Sequence, residues 1–119
     1  MALIAEFCQN HNGDFNLLAR MVDAAAANGA THGKMQTIFA ETVAFRPQFE
    51  QGLTVDGTVR SIQRPYQAEY DRLKGLEITF EESARFIRLC RDAGIVPMTT
   101  CFAREHVDAL SELGFESIK

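Results

Sequence analysis

The 119-residue chain has no excess of basic charge: Lys and Arg total 12 against 16 Asp and Glu, a net charge of −4. A nucleic-acid partner, which calls for a basic patch or stripe, is therefore not expected. No apolar run approaches the roughly 18 residues that span a membrane, so no membrane partner is expected either. The opening residues, Met1 to Phe7, lack the basic start of a signal peptide and meet a carboxylate at Glu6. Cys8, Cys90 and Cys101 are odd in number and widely spaced. They fit reduced thiols of a cytoplasmic protein rather than a disulfide framework, and match no zinc motif. Cys8 and Cys101 are read as packing residues. No two histidines stand at a ligand spacing such as i, i+4, so no metal site is expected from these residues alone. Linkers, low-complexity tracts and a second domain are all lacking.

What is present is a repeated strand-then-helix pattern. Residues 2–7 read as a buried strand, followed by the polar loop Cys8 to Asp14, in which Asp14 is a suitable N-cap. Leu17, Leu18, Met21, Val22, Ala25 and Ala26 recur at helical spacing, giving a helix over 15–28 closed by Gly29. Residues 31–37, Thr-His-Gly-Lys-Met-Gln-Thr, form the next strand. Residues 38–64 are irregular, with a hairpin signal at Asp56-Gly57, and read as a functional loop or lid. Pro65 opens a short helix ending at Gly75, and Thr79 with Glu82 makes a capping box for a helix that stops before Gly94. A strand over 95–100, a helix over 104–113 and the start of a strand at 115–119 complete the chain. Such β/α repeats predict the α/β class with a parallel sheet. About four units are present, and a (β/α)₈ TIM barrel takes about 250 residues. Residues 1–119 are thus expected to be an incomplete barrel domain, the amino-terminal half.

The strand 31–37 is the informative one. A parallel strand between helices is normally apolar on both faces, yet His32, Lys34 and Gln36 share a face here. In a barrel, chemistry sits at the carboxyl ends of the strands. Glu6 with Asn10 and His11, Lys34 with Gln36, Thr99 with Thr100, and Lys119 occupy those positions on the successive strands. Two lysines facing one lumen would repel, and an anionic small molecule between them would resolve this through charge-assisted bonds of about 1.5–3 kcal/mol each. Simpler readings remain open. Lys34 can pair with Glu6 across neighbouring strands, Gln36 can bond a loop carbonyl, and His11 can be a local hydrogen bonder. The threonines are strand formers first. His32 is expected to be structural and His106 to lie on a helix surface.

Several stretches together resemble the sialic acid synthase family, the N-acetylneuraminate synthases and their relatives. Ile4 to Asp14 resembles that family's opening strand and loop, and Gly33-Lys34-Met35-Gln36-Thr37 its second strand, usually Val-Lys-Phe-Gln-Thr. Met98 to Phe102 is similar to its third strand, usually Ser-Thr-Pro-Phe, and Phe115 to Lys119 to the start of its fourth. The resemblance covers essentially the whole chain. It implies condensation of phosphoenolpyruvate with an N-acylated amino sugar such as N-acetylmannosamine, giving a nonulosonic acid and phosphate. It implies Lys34, Lys119 and Thr100 at phosphoenolpyruvate, Gln36 near the sugar, and Glu6 as the catalytic carboxylate that orients or deprotonates the attacking water. Asn10 and His11 stand in the same opening motif and are carried as substrate-binding candidates. It further implies a divalent metal, manganese or magnesium, held by residues outside this sequence, and a homodimer for the complete protein.

The sequence departs from that pattern in two places. Cys101 replaces the usual proline, and Phe7-Cys8 replaces a common Ile-Gly, so the first loop is expected to differ in shape. The chain by itself is expected to be inactive. Two other readings compete: a Schiff-base lysine aldolase using Lys34 or Lys119, and a non-catalytic half-barrel that pairs its open edges with another copy.

Overall fold

In the computed structural model, which describes all residues from 1 to 119, the element order follows the β/α repeat. Strand β1 (Ile4–Cys8), helix α1 (Phe15–Ala27) and strand β2 (His32–Thr37) form the first unit. Then come a 3₁₀ turn (Ala40–Thr42), the single-turn helix α2 (Pro47–Glu50), strands β3 (Leu53–Val55) and β4 (Thr58–Ser61), and helix α3 (Tyr66–Lys74). Helix α4 (Phe80–Asp92), strand β5 (Val96–Cys101), a 3₁₀ turn (Arg104–His106), helix α5 (Val107–Leu113) and strand β6 (Ser117–Ile118) close the chain. The strands β1-β2-β5-β6 lie side by side in that order, every pair parallel.

Local chemistry explains the boundaries. The Asp14 carboxylate accepts from the amides of Asn16 (2.8 Å) and Leu17 (3.2 Å), so two orphan donors of α1 are satisfied. At α4 the Thr79 hydroxyl accepts from the Glu82 amide while the Glu82 carboxylate accepts from the Thr79 amide, the reciprocal capping box. The Asp56-Gly57 turn has φ of 49° and 74°, the two positive values of a type I′ hairpin, and joins β3 to β4. Segment 38–64 therefore carries more order than its irregular sequence suggests. The helix read over 104–113 begins as a 3₁₀ turn, and the last strand pairs only at Ser117 and Ile118.

The sheet is covered on one face. Phe7, Met35 and Ile95 join Leu18 and Val22 of α1, Phe86, Ile87 and Cys90 of α4, and Leu110 and Phe115 in a single apolar cluster. Phe86 sits at its centre, with Phe7 edge-on and Phe115 tilted, both at 6.2 Å between ring centroids. Thr37 and Thr99, also on this face, satisfy each other by a buried hydroxyl–hydroxyl bond of 2.8 Å. The opposite face carries the half-buried His32, Lys34 and Gln36 of β2 and Met98 and Thr100 of β5. A strand buried on both faces would have had to bury Lys34 dry; one covered face and one open face avoids that cost. No helix is long and apolar enough to cross a membrane.

Candidate active site

The open face is built from strand register. Partners in a parallel ladder point to the same side, and Glu6 stands opposite Lys34, Lys34 opposite Met98, and Gln36 opposite Thr100. One face therefore presents Glu6, Lys34, Gln36 and Thr100 within two successive rows. Lys119 takes the position after the Thr99–Ile118 pair. Its amide donates to the Thr99 carbonyl at 2.9 Å and its carbonyl accepts from the Cys101 amide at 3.0 Å. That second bond needs an N–H which a proline at position 101 would not supply.

Lys34 and Glu6 form an ion pair across β1 and β2. The lysine side chain is 14% exposed and the glutamate 37%. The simple structural pairing is thus realised. Burial alone would raise the Glu6 carboxyl, but hydrogen bonds from Lys34 and from the Cys8 amide outweigh it and hold the group below its ordinary value. The Cys8 amide reaches the Glu6 carboxylate at 3.1 Å because the strand bulges there. The register slips between Glu6 and Cys8, which sends Phe7 into the core and turns Cys8 to φ 50°. That left-handed value is one a glycine adopts at no cost, so Cys8 keeps a glycine-like backbone in place of the Ile-Gly its position resembles. Burial first and the Glu6 charge second push the Cys8 thiol up, and burial pushes Cys90 up to about 12, so neither is a ready thiolate. The Cys101 thiol donates to the Ala103 carbonyl at 3.0 Å.

The β1–α1 loop is a chain of turns: Asn10 N–H to Phe7 O, Asn12 N–H to Gln9 O, and Asp14 N–H to His11 O, at 2.8–3.0 Å. Asn10 is exposed in it. His11 is not: its side chain is fully buried. Its Nδ1 accepts from the Gly13 amide at 3.1 Å, which leaves the proton on Nε2, a buried donor without a partner. Burial pushes His11 below its ordinary value against the pull of Glu82. His106 departs from expectation. It packs edge-on against Phe39 (4.9 Å) and Phe80 (5.5 Å) and is half-buried rather than a solvated helix residue. His32 is structural, its Nδ1 2.7 Å from the Thr31 hydroxyl. The three histidines thus have separate surroundings, and no three His, Cys, Asp or Glu side chains come together as a metal site. The donor set in this chain does not fit a divalent metal.

Beside the open face, segment 38–64 and α3 enclose a cleft of about 570 Å³ whose lining includes Gln9, Gln36 and Phe102. The base of this segment is anchored to α3. The Ala40 amide donates to Glu77 at 2.8 Å, and Lys74 bridges Glu41 and Glu77. Arg46, Arg64 and Arg72 also line the cleft. Sequence reasoning missed them, because they share no motif or spacing and only the path of the segment brings them together.

A protein-family model described as the NeuB family matches residues 21–119. The chain belongs to the NeuB family. It is similar over 98% of its length to the N,N'-diacetyllegionaminic acid synthases of Legionella pneumophila (32% identical) and Campylobacter jejuni (28% identical). It spans about a third of each, 32% and 34% of their lengths. Among solved structures, the N-acetylneuraminic acid (sialic acid) synthetase of Leptospira borgpetersenii, crystallised with citrate, superposes with a TM-score of 0.74 at 25% identity, covering 98% of this chain and 34% of that one. The NeuB-family chain therefore has the parallel α/β arrangement of its structural neighbour.

Proposed function

We propose that this chain is the amino-terminal half of a (β/α)₈ barrel. The protein that carries it condenses phosphoenolpyruvate with an open-chain N-acylated amino sugar, giving a nonulosonic acid and phosphate. The observation that carries this reading is the shared open face of Glu6, Lys34, Gln36 and Thr100 in a NeuB-family chain. The named relatives, synthases of diacetyllegionaminic and N-acetylneuraminic acids, support the reaction class.

On this reading the phosphoenolpyruvate anion competes with Glu6 for Lys34, with Lys119 as the second cation and Thr100 as a hydroxyl donor. Gln36 and the exposed Asn10 face the sugar. The terminal alkene carbon forms the new C–C bond to the aldehyde carbon, leaving positive charge at C2. Water adds at C2 and gives up both its protons as the C2–O bond to phosphate breaks to leave the ketone, one proton going to the former aldehyde oxygen and the other to the departing phosphate or to solvent. Glu6, held ionised by Lys34 and the Cys8 amide, suits the orientation of that water and the stabilisation of the cationic C2. Orienting or deprotonating that water is the role the family resemblance gives this carboxylate. The manganese or magnesium implied by the family resemblance would need ligands other than the side chains of this sequence.

The test is an assay of the protein that carries this chain, with phosphoenolpyruvate, N-acetylmannosamine and Mn²⁺, reading phosphate release and 2-keto acid together. Both products should appear in equal amounts and be lost in Lys34→Ala. Trapping of a keto substrate on Lys34 by borohydride would overturn the reading in favour of imine chemistry, which the condensation does not use.

A further inference from the structure

The cleft under segment 38–64 has more cationic than anionic capacity. Glu69 and Glu50 are the carboxylates in its lining, and both are engaged. Glu69 holds Arg72 by a two-point contact, Nε to Oε2 at 3.0 Å and Nη2 to Oε1 at 2.9 Å. Glu50 accepts from the Tyr66 amide at 2.7 Å, which fastens the start of α3. Arg72 also reaches the Gln9 side-chain oxygen at 3.4 Å. Arg46 and Arg64 take part in no ion pair. Arg46 instead lies over the Phe49 ring, 5.8 Å from its centroid, which pre-orients the guanidinium. Phe49, Tyr66 and Phe102 supply flat apolar walls, and Gln9 and Gln36 supply amide groups. A planar guanidinium with five donors is suited to phosphate and carboxylate oxygens.

We propose that this cleft binds an acidic small molecule, its phosphate or carboxylate at Arg46 and Arg64 and its hydroxylated body against the aromatic walls and the Gln9 and Gln36 amides. Gln36 also stands on the open face two residues from Lys34, about 6–7 Å along the strand. The cleft therefore adjoins the lysine site, and an occupant would lie over its rim. The volume of about 570 Å³ is in the range of small-ligand pockets. The site stands whether or not the condensation reading holds.

The test is calorimetric titration of the protein that carries this chain, at low ionic strength, with glucose 6-phosphate, glucuronate and glucose. Both acids, or one of them, should bind saturably, and neutral glucose should not; the tighter acid names the group the arginines take. Arg46→Met with Arg64→Met should weaken that binding at least about tenfold, as expected for losing charge-assisted bonds. Both side chains are exposed, so far-UV circular dichroism should be unchanged. Equal binding of glucose and the acids, or acid binding that survives the double substitution, overturns the proposal. So does acid binding lost in Lys34→Met but kept in the arginine variant. Phosphoenolpyruvate is absent from these titrations, so their failure leaves the condensation reading to its own assay.

Discussion

At the scale of residues, the proposed function rests most heavily on Lys34. It is mostly enclosed and neutralised by Glu6, so any anion that enters must share it. Removing it takes away charge-assisted bonds of about 1.5–3 kcal/mol, and Lys34→Ala should weaken phosphoenolpyruvate binding about 10- to 100-fold by calorimetry. Unchanged affinity would remove Lys34 from the site. His11 makes a different kind of prediction. Its folded pKa lies below its ordinary value of 6.5 because the ring is buried. The unfolded chain therefore binds more protons in the acid range, and stability should fall as pH drops below about 6.5. Urea titrations at a series of pH values should show that slope reduced in His11→Asn. An identical slope would assign the acid sensitivity to other groups.

At the scale of elements, the β1–α1 loop is held by the close approach of its backbone to the connection after α3. Gly13 has φ 75°, and a Cβ there would lie 2.4 Å from the Gly75 carbonyl oxygen. Backbone cannot yield as a flexible side chain can. Gly13→Ala should cost about 2–4 kcal/mol, from the left-handed strain and the collision together, measured by denaturant unfolding. Thr79→Ala removes one half of the α4 capping box and should cost about 1 kcal/mol in the same measurement. A cost near zero for Thr79→Ala would mean that the Glu82 contact alone holds the helix start. The two substitutions probe the same corner, because Glu82 both closes the cap and acts on His11.

At the scale of the whole molecule, the radius of gyration is 16.7 Å, against about 13.5 Å for a compact chain of this length. The extents of 53 × 28 × 24 Å describe an elongated body. In the β3–β4 hairpin Leu53 is 50% exposed and Val59 61%, and Phe45 and Ile62 nearby are 58% and 59%. A two-stranded hairpin is marginal by itself, and open apolar strands invite pairing. The outer strands β1 and β6 of the parallel sheet have no neighbour on their other side. The 119-residue chain should therefore self-associate, its weight-average mass rising with concentration in sedimentation velocity. The chain alone should release no phosphate from phosphoenolpyruvate with N-acetylmannosamine, since only one arc of the proposed site is walled. Turnover by the isolated chain would overturn that expectation.

Periodicity and end signals were enough to place the β/α repeat, the Asp14 and Thr79 caps, the Asp56-Gly57 hairpin and the polar residues at the strand ends. All of these depend on neighbours within a few positions, where propensity and spacing act directly. The NeuB resemblance was legible for a related reason, because its motifs are short runs on single strands. Other properties needed contacts between distant segments. Register put Glu6 opposite Lys34 and paired the two charges. Packing of the first loop against the start of α4 and the Gly75 turn buried His11, which an isolated polar loop gave no reason to expect. The fold of segment 38–64 over α3 collected Arg46, Arg64 and Arg72 into one cleft. The sequence by itself determined the elements and the chemistry available at their ends. Only the tertiary structure decided which groups meet and which are closed off from solvent, because burial and pairing depend on surfaces that no single stretch of chain contains.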